Sequence, residues 1–383
     1  MRKVGRILIF LLCTVFFTAC TGGQVKENTV LDDRDTGISS KLQYERTLET
    51  EYAGEFAVDY YRDGYALLSV ADGRRYLIVP EKKEVPEDLP EDIVPLKRPI
   101  RNAYLVASAA MDMVCALEAL PEIRFCGQKA ENWCIPEAKA AMEEGELFYA
   151  GKYSMPDYEL LVSENCGIAI ENNMILHAPA VVEKLESFDI PVLIDRSSYE
   201  THPLGRVEWI LVYGLLFDRE REAADIVKAQ KEIVERVEQE VSTGGTVAFF
   251  YITTNGSVNV RRSTDYVPKM IELAGGSYIL SGEDDGDSRR STVNLQQEEF
   301  YHRAKDADYL IYNSTIGGAP ESLEDLVNEM QTLQDFKAVK EGRVWCTTQD
   351  LYQQSLSAGK MIEDLHAMLS GKTEGMTYLY PLK

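Results

Sequence analysis

Residues 166–196 read CGIAIENNMILHAPAVVEKLESFDIPVLIDR. Two short apolar runs, Gly167-Ile168-Ala169-Ile170 and Ile190-Pro191-Val192-Leu193-Ile194, bracket a segment, Val181–Phe188, that reads as a helix. Strands this short and this apolar are those of a parallel sheet covered on both faces. A strand, a helix and a second strand in that order make its repeating unit. Each strand runs into polar residues, Glu171-Asn172-Asn173 and Asp195-Arg196. The same scheme extends outward. Upstream, Ala103–Ala107 is a predicted strand, and Ser108 can cap a helix from near Ala109. Downstream, strands are predicted at Thr246–Ile252, Asp308–Tyr312 and Arg343–Cys346, with helices at Tyr266–Ala274 and Ala358–Leu369. Between the two sets lies Arg219–Val241, free of Gly and Pro, with Ala224, Ile226, Val227, Ile233 and Val237 as an apolar stripe. About 23 residues of helix span ~35 Å, enough to cross a two-lobed molecule. Ahead of all this, Phe56–Tyr61, Tyr65–Val70 and Tyr76–Val79 are strands separated by Arg62-Asp63-Gly64 and Ala71-Asp72-Gly73, two Asp-Gly turns. Residues 80–99 read as an extended connector.

The expected fold class is therefore α/β: two Rossmann-like lobes with parallel sheets, joined by one long rigid α-helix and preceded by a small N-terminal β-meander. The expected boundaries are 1–19 signal peptide, 20–43 lipidated Cys and flexible tether, 44–99 β-meander and connector, 100–217 N-terminal lobe, 218–243 linking helix and 244–383 C-terminal lobe.

With 383 residues, 45% hydrophobic and 27% charged, the chain has the composition of a folded soluble protein of about two domains. Its net charge of −23 argues against nucleic acid as a partner. Arg2, Lys3 and Arg6 precede an apolar run from Ile7 to Phe17, too short to span a bilayer and suited to a signal peptide. Phe17-Thr18-Ala19-Cys20 resembles a bacterial lipobox, which implies acylation (palmitate) of Cys20 and anchorage at the extracytoplasmic face of the cell membrane. Phe17 stands where that motif has Leu. Beyond Cys13 and Cys20 there are five cysteines, Cys115, Cys126, Cys134, Cys166 and Cys346, with no C-x-x-C pair. Buried free thiols are the favoured reading over a Cys126–Cys134 disulfide.

Four stretches in order resemble the substrate-binding lipoproteins of ABC importers for iron-siderophores, haem and cobalamin, the class III periplasmic-binding-protein-like family. Pro156-Asp157-Tyr158-Glu159-Leu160-Leu161 with Cys166–Ile170 is similar to its helix-then-strand pattern. Residues 184–192, KLESFDIPV, are similar to its KLExxGIPV, and Met270–Gly276 to its hhELAGG. Ala338-Val339-Lys340-Glu341-Gly342-Arg343-Val344 is similar to its AVKxGRV. The resemblance spans roughly residues 98–370, and Cys166-Gly167 departs from it where Pro-Asp is usual. It implies a receptor that performs no chemistry, works as a monomer and delivers its ligand to a permease with an ATPase. The ligand would be an iron complex (a ferric siderophore or haem) or another metal-macrocycle, with no intrinsic cofactor. A corrinoid receptor on the same scaffold is the alternative, as is a surface adhesin without transport role.

The resemblance also implies permease docking through one acid on each lobe, here Glu159 and Glu299 or its neighbour Glu298. Ligand contacts are expected at strand ends: Ser108, Tyr153, Asn172, Asn173, Arg196, Glu200, His202 and Arg206 in the first lobe, and Asn255, Arg261, Arg262, Tyr266, Ser314, Thr315 and Tyr352 in the second. The arginines suit a planar anionic ligand, and tyrosines or Trp133 could stack on an aromatic one. Of Arg261 and Arg262, only one can face the cleft if both lie on a strand.

Four histidines, His177, His202, His302 and His366, do not favour a three-histidine site for a bare metal ion. His202 beside Glu200 could ligate a macrocycle's metal, but capping at Pro203 is the plainer role. No nucleophile-elbow, zincin, P-loop or dinucleotide motif is present, so an enzyme is not expected; Glu200 and His202 are the best acid–base couple available.

Overall fold

The computed structural model describes residues 37–241, 244–282 and 291–383. The signal segment, Cys20 and the tether up to residue 36 lie outside the described residues.

The chain opens with a five-stranded sheet in the order β1-β2-β3-β4-β5: β1 Tyr44–Thr47, β2 Phe56–Tyr61, β3 Ala66–Val70, β4 Arg75–Pro80 and β5 Ile93–Arg98. The β2–β3 connection carries Asp63 at φ +65° and Gly64 at φ +84°, the left-handed pair that a tight hairpin needs. Two expectations are corrected here. Residues 80–99 are not wholly a connector, because β5 pairs in parallel with β4 from Arg75↔Ile93 to Pro80↔Arg98. The tether is not free through residue 43, because Ile38 packs under Tyr61, Leu67, Leu77 and Val79 on the outer face of this sheet. The inner face, with Phe56, Val58, Leu68, Tyr76 and Ile78, joins the main core.

The first lobe is a parallel sheet in the order β12-β11-β6-β7-β8, formed by β6 Ala103–Leu105, β7 Ile123–Cys126, β8 Phe148–Tyr149, β11 Ile168–Asn172 and β12 Val192–Asp195. A small hairpin, β9 Gly151–Lys152 and β10 Met155–Pro156, follows β8. Gly167 is obligatory at the entry to β11, since a Cβ there would lie 2.4 Å from the Arg101 carbonyl oxygen.

Helices Pro203–Glu208 and Ile210–Phe217 lead into Glu220–Glu238, which buries Ala223, Val227, Val234 and Val237. At 19 residues it is shorter than expected, about 28 Å. Gly214 lets it approach the preceding helix: a Cβ there would meet the Ala223 Cβ at 2.7 Å.

The second lobe departs from an all-parallel sheet. β13 Thr246–Ile252, β17 Tyr309–Tyr312 and β18 Val344–Thr347 are parallel, and β15 Ser277–Tyr278 adds to β13 in the same sense. β14 Val258–Arg261, β16 Thr292–Leu295 and β19 Leu379–Pro381 are antiparallel additions at the two edges. β14 arises because β13 turns back through Thr253–Ser257, where Thr253, Asn255 and Ser257 bond to one another. The closing helix Ala358–Ser370 packs on the linking helix.

Candidate ligand-binding cleft

Loops that follow β6, β7 and β12 in the first lobe meet segments that follow β14 and β18 in the second. Hydrogen bonds cross between the lobes. The Cys134 amide donates to Gln353 Oε1 (2.8 Å), Gln353 Nε2 to the Asn132 carbonyl (2.8 Å), Ser355 Oγ to the Ala109 carbonyl (2.6 Å) and the Leu356 amide to Asp112 Oδ2 (2.8 Å). Arg206 lies 4.1 Å from the Tyr266 ring centroid, a cation–π contact between lobes. Beyond this closed floor a space of about 370 Å³ remains. Asn173, Met174, Ser198, Tyr199 and Thr201 line it from one side, Thr264 and Asp265 from the other.

The structure brings part of the expected set to this cleft. Arg206, Tyr266 and Tyr352 share its floor, and Asn173 and Glu200 line the open part. Asn173 Nδ2 donates to Ser198 Oγ at 2.5 Å, while its buried Oδ1 has no hydrogen-bond partner among the described residues. Asn172 folds back, bonding the Met174 amide and the Val106 carbonyl. Arg261 is buried, 3.6 Å from Asp265 and 5.1 Å from the Tyr352 ring, whose hydroxyl accepts from Asn313 Nδ2. Arg262 is buried too, its Nε on the Thr292 carbonyl, so Arg261 and Arg262 both turn inward. Arg196 pairs with Glu55 at 2.6 Å and covers the Tyr199 ring.

Other expected residues have internal partners. Ser314 is buried and bonds Thr347, Thr315 bonds Asn313, and Asn255 sits in the β13–β14 turn. Tyr153 packs on the first-lobe core. Ser108 does not cap with its side chain; its carbonyl accepts from the Met111 amide ahead of the helix Ala110–Ala116. Trp133 is 5% exposed and packs into the core, which removes it as a stacking surface. Asp265 escaped the sequence reading, although an Asp directly before a helix is a capping signal: its carboxylate accepts from the Val267 amide at 3.0 Å. Burial raises its pKa against the pull of Arg261.

Glu200 and His202 do not form a couple. Glu200 accepts from the Gly54 and Glu55 amides and from Trp209 Nε1, and burial lifts its pKa to about 7. His202 caps its helix through Nδ1 and the Leu204 amide, stacks on Tyr52 at 4.1 Å and is pushed down to about 4 by burial. Nearby Glu208, 1% exposed, accepts from the Glu51, Tyr52 and Ala53 amides and lies 3.0 Å from Lys231 on the linking helix. Residues 51–55 are thus gripped by two buried carboxylates, a role no local sequence signal reveals.

Glu171, on the inner strand β11, is fully buried with neither carboxylate oxygen bonded among the described residues. Burial alone raises its pKa to about 8. The five described cysteines are free; Cys115 and Cys166 are pushed up to about 12 by burial, and Cys134 is the exposed one. Among the described residues no cluster of three or more His, Cys, Asp or Glu side chains is placed to hold a metal ion. Glu159 stands exposed on the helix Tyr158–Ser163, and Glu299 exposed on the helix Gln297–Ala304, 3.6 Å from Arg303.

Comparison with known proteins agrees with this geometry. Residues 166–351 match the family described as periplasmic binding protein. An uncharacterized lipoprotein of Methanocaldococcus jannaschii, MJ0872, is 24% identical and aligned over the full length of both chains. Among solved structures, the periplasmic haem-binding protein HutB of Vibrio cholerae superposes with a TM-score of 0.57 at 16% identity, over 70% of this chain and 98% of its own. An ABC-type Fe3+-hydroxamate transport protein of Saccharomonospora viridis gives 0.54 at 20% identity, over 70% and 93%. The two-lobed fold of this chain is similar to that of both solved structures. About three tenths of it lies outside the part shared with those structures.

Proposed function

We propose that this protein is an extracytoplasmic solute receptor that captures an iron complex, a ferric siderophore or haem, and delivers it to an ABC permease driven by its ATPase. The observation that carries the reading is the cleft: strand-end loops of two α/β lobes converge on one space beside a single long helix, where ligands of such folds gather. The floor offers Arg206, Arg261, Tyr266 and Tyr352, groups that recognise anionic and aromatic ligands once the lobes part. A stiff linking helix favours small adjustments over wide closure. The lipobox-like segment and the lipoprotein relative support anchorage through Cys20 at the membrane's outer face. Glu159 and Glu299, exposed on separate lobes, are the proposed permease contacts.

The test is a thermal-shift screen against ferric siderophores, haem, cobalamin, cobinamide and bare metal ions. A ligand at a hundredfold excess over Kd adds ~2.7 kcal/mol to stability. A shift with an iron complex supports the reading; a shift confined to corrinoids moves the assignment to that class, and silence across the panel counts against both.

A further inference from the structure

A groove of about 650 Å³ lies away from the cleft, where the N-terminal sheet meets the first lobe. Ile190, Pro191 and Val192 form one wall, and Tyr76, Val94 and Pro95 the other. Tyr76 and Val94 are partners across β4–β5, so both side chains stand on the same face. Tyr76 closes the floor by donating its hydroxyl to the Val192 carbonyl at 2.5 Å. Val94 is left 38% exposed beside an apolar wall.

Two features say what fits there. First, β5 and β12, which contribute Val94, Pro95 and Val192, are the last strands of their sheets. Sheet edges carry main-chain donors and acceptors that an extended chain can use. Second, the rim is acidic beyond what its own cations neutralise. Arg75 is committed to Asp92, and Arg74 is shared between Asp72 and Glu186. Glu91 and Asp189 have no cationic partner among the described residues.

We propose that this groove binds an extended segment of a partner protein in which basic residues flank apolar ones. The apolar side chains enter between Val94 and Pro191, and the flanking cations meet Glu91 and Asp189. This surface is independent of ligand capture in the cleft.

The test uses a fluorescein-labelled Lys-Val-Lys-Val-Lys-Val peptide and fluorescence anisotropy on the purified protein. The double variant Glu91→Gln/Asp189→Asn should weaken binding about tenfold, from two lost ion pairs. Val94→Asp, which puts a charge in the apolar wall, should weaken it as well. The control Glu143→Gln/Glu144→Gln, an equal charge change on an exposed helix end, should leave Kd within twofold, and a Glu-Val-Glu-Val-Glu-Val peptide should not bind. Equal weakening by control and groove variants would mean only general attraction to an acidic protein and would overturn the proposal. So would no binding of the basic peptide, or a dimer in sedimentation that Val94→Asp dissociates, which would make a second copy the occupant.

Discussion

Glu171→Gln should make this protein more stable at neutral pH and leave it unchanged in acid. The carboxyl sits on β11, an inner strand of the first-lobe sheet, 0% exposed and unbonded among the described residues. Its pKa is about 8 when folded and 4.5 in the reference state. Below pH 4.5 both folded and unfolded chains hold it neutral, so it contributes no ionisation penalty. As pH rises from 4.5 towards 8, the unfolded chain releases the proton and the folded one does not. Folding then loses roughly 1.4 kcal/mol per pH unit, on the order of 3 kcal/mol at pH 7 and 5 above pH 8. Glutamine has nearly the same shape and cannot ionise. Urea denaturation of both proteins at pH 4, 6, 7 and 8 should show midpoints that coincide at pH 4 and separate progressively in favour of the glutamine variant. A constant gap across the series, or none, would refute the reasoning, because only the pH dependence isolates the buried proton.

Other outcomes follow from the same geometry. Glu208→Ala removes the acceptor of three backbone amides and the partner of Lys231; it should cost about 3 kcal/mol in urea denaturation and open residues 51–55 to limited proteolysis. Of the five cysteines beyond the lipobox, Cys134 alone should react rapidly with a thiol reagent at pH 8, since burial holds the thiols of Cys115 and Cys166 protonated; peptide mapping of the labelled protein reads this directly. Glu159→Arg with Glu299→Arg should abolish uptake in cells while ligand affinity by titration stays as in the parent, and unchanged uptake would remove the docking assignment.

Much of the fold was legible because its strands are local apolar runs. Ile168–Ile170, Val192–Ile194 and Thr246–Ile252 announce themselves without knowledge of their neighbours. β5 did not, because Pro95 and two terminal cations disguise an edge strand that exists only through its pairing with β4. β16 was hidden for the same reason, being defined by its pairing with β14 some thirty residues upstream. The cleft was legible as a set of strand ends but not as a set of free side chains. Arg196 finds Glu55, 141 residues away, and Arg261 finds Asp265 beneath the Tyr352 ring. Which of 63 acidic residues neutralises a given arginine is a three-dimensional fact. Glu208 looks in sequence like any helical glutamate and is in fact the acceptor around which a loop is wound.

That loop has a mechanical consequence. Residues 51–55 bond to Glu200 and Glu208 of the first lobe and its outgoing helix, and through Glu51 to Lys231 of the linking helix. The N-terminal sheet, first lobe and the linking helix as far as Lys231 therefore behave as one stiff body. Any load applied to the N-terminus enters that body first and reaches the C-terminal lobe only through the linking helix and the bonds across the cleft floor. Viewed from whatever holds the N-terminus, one half of the cleft is held directly and the other at second hand.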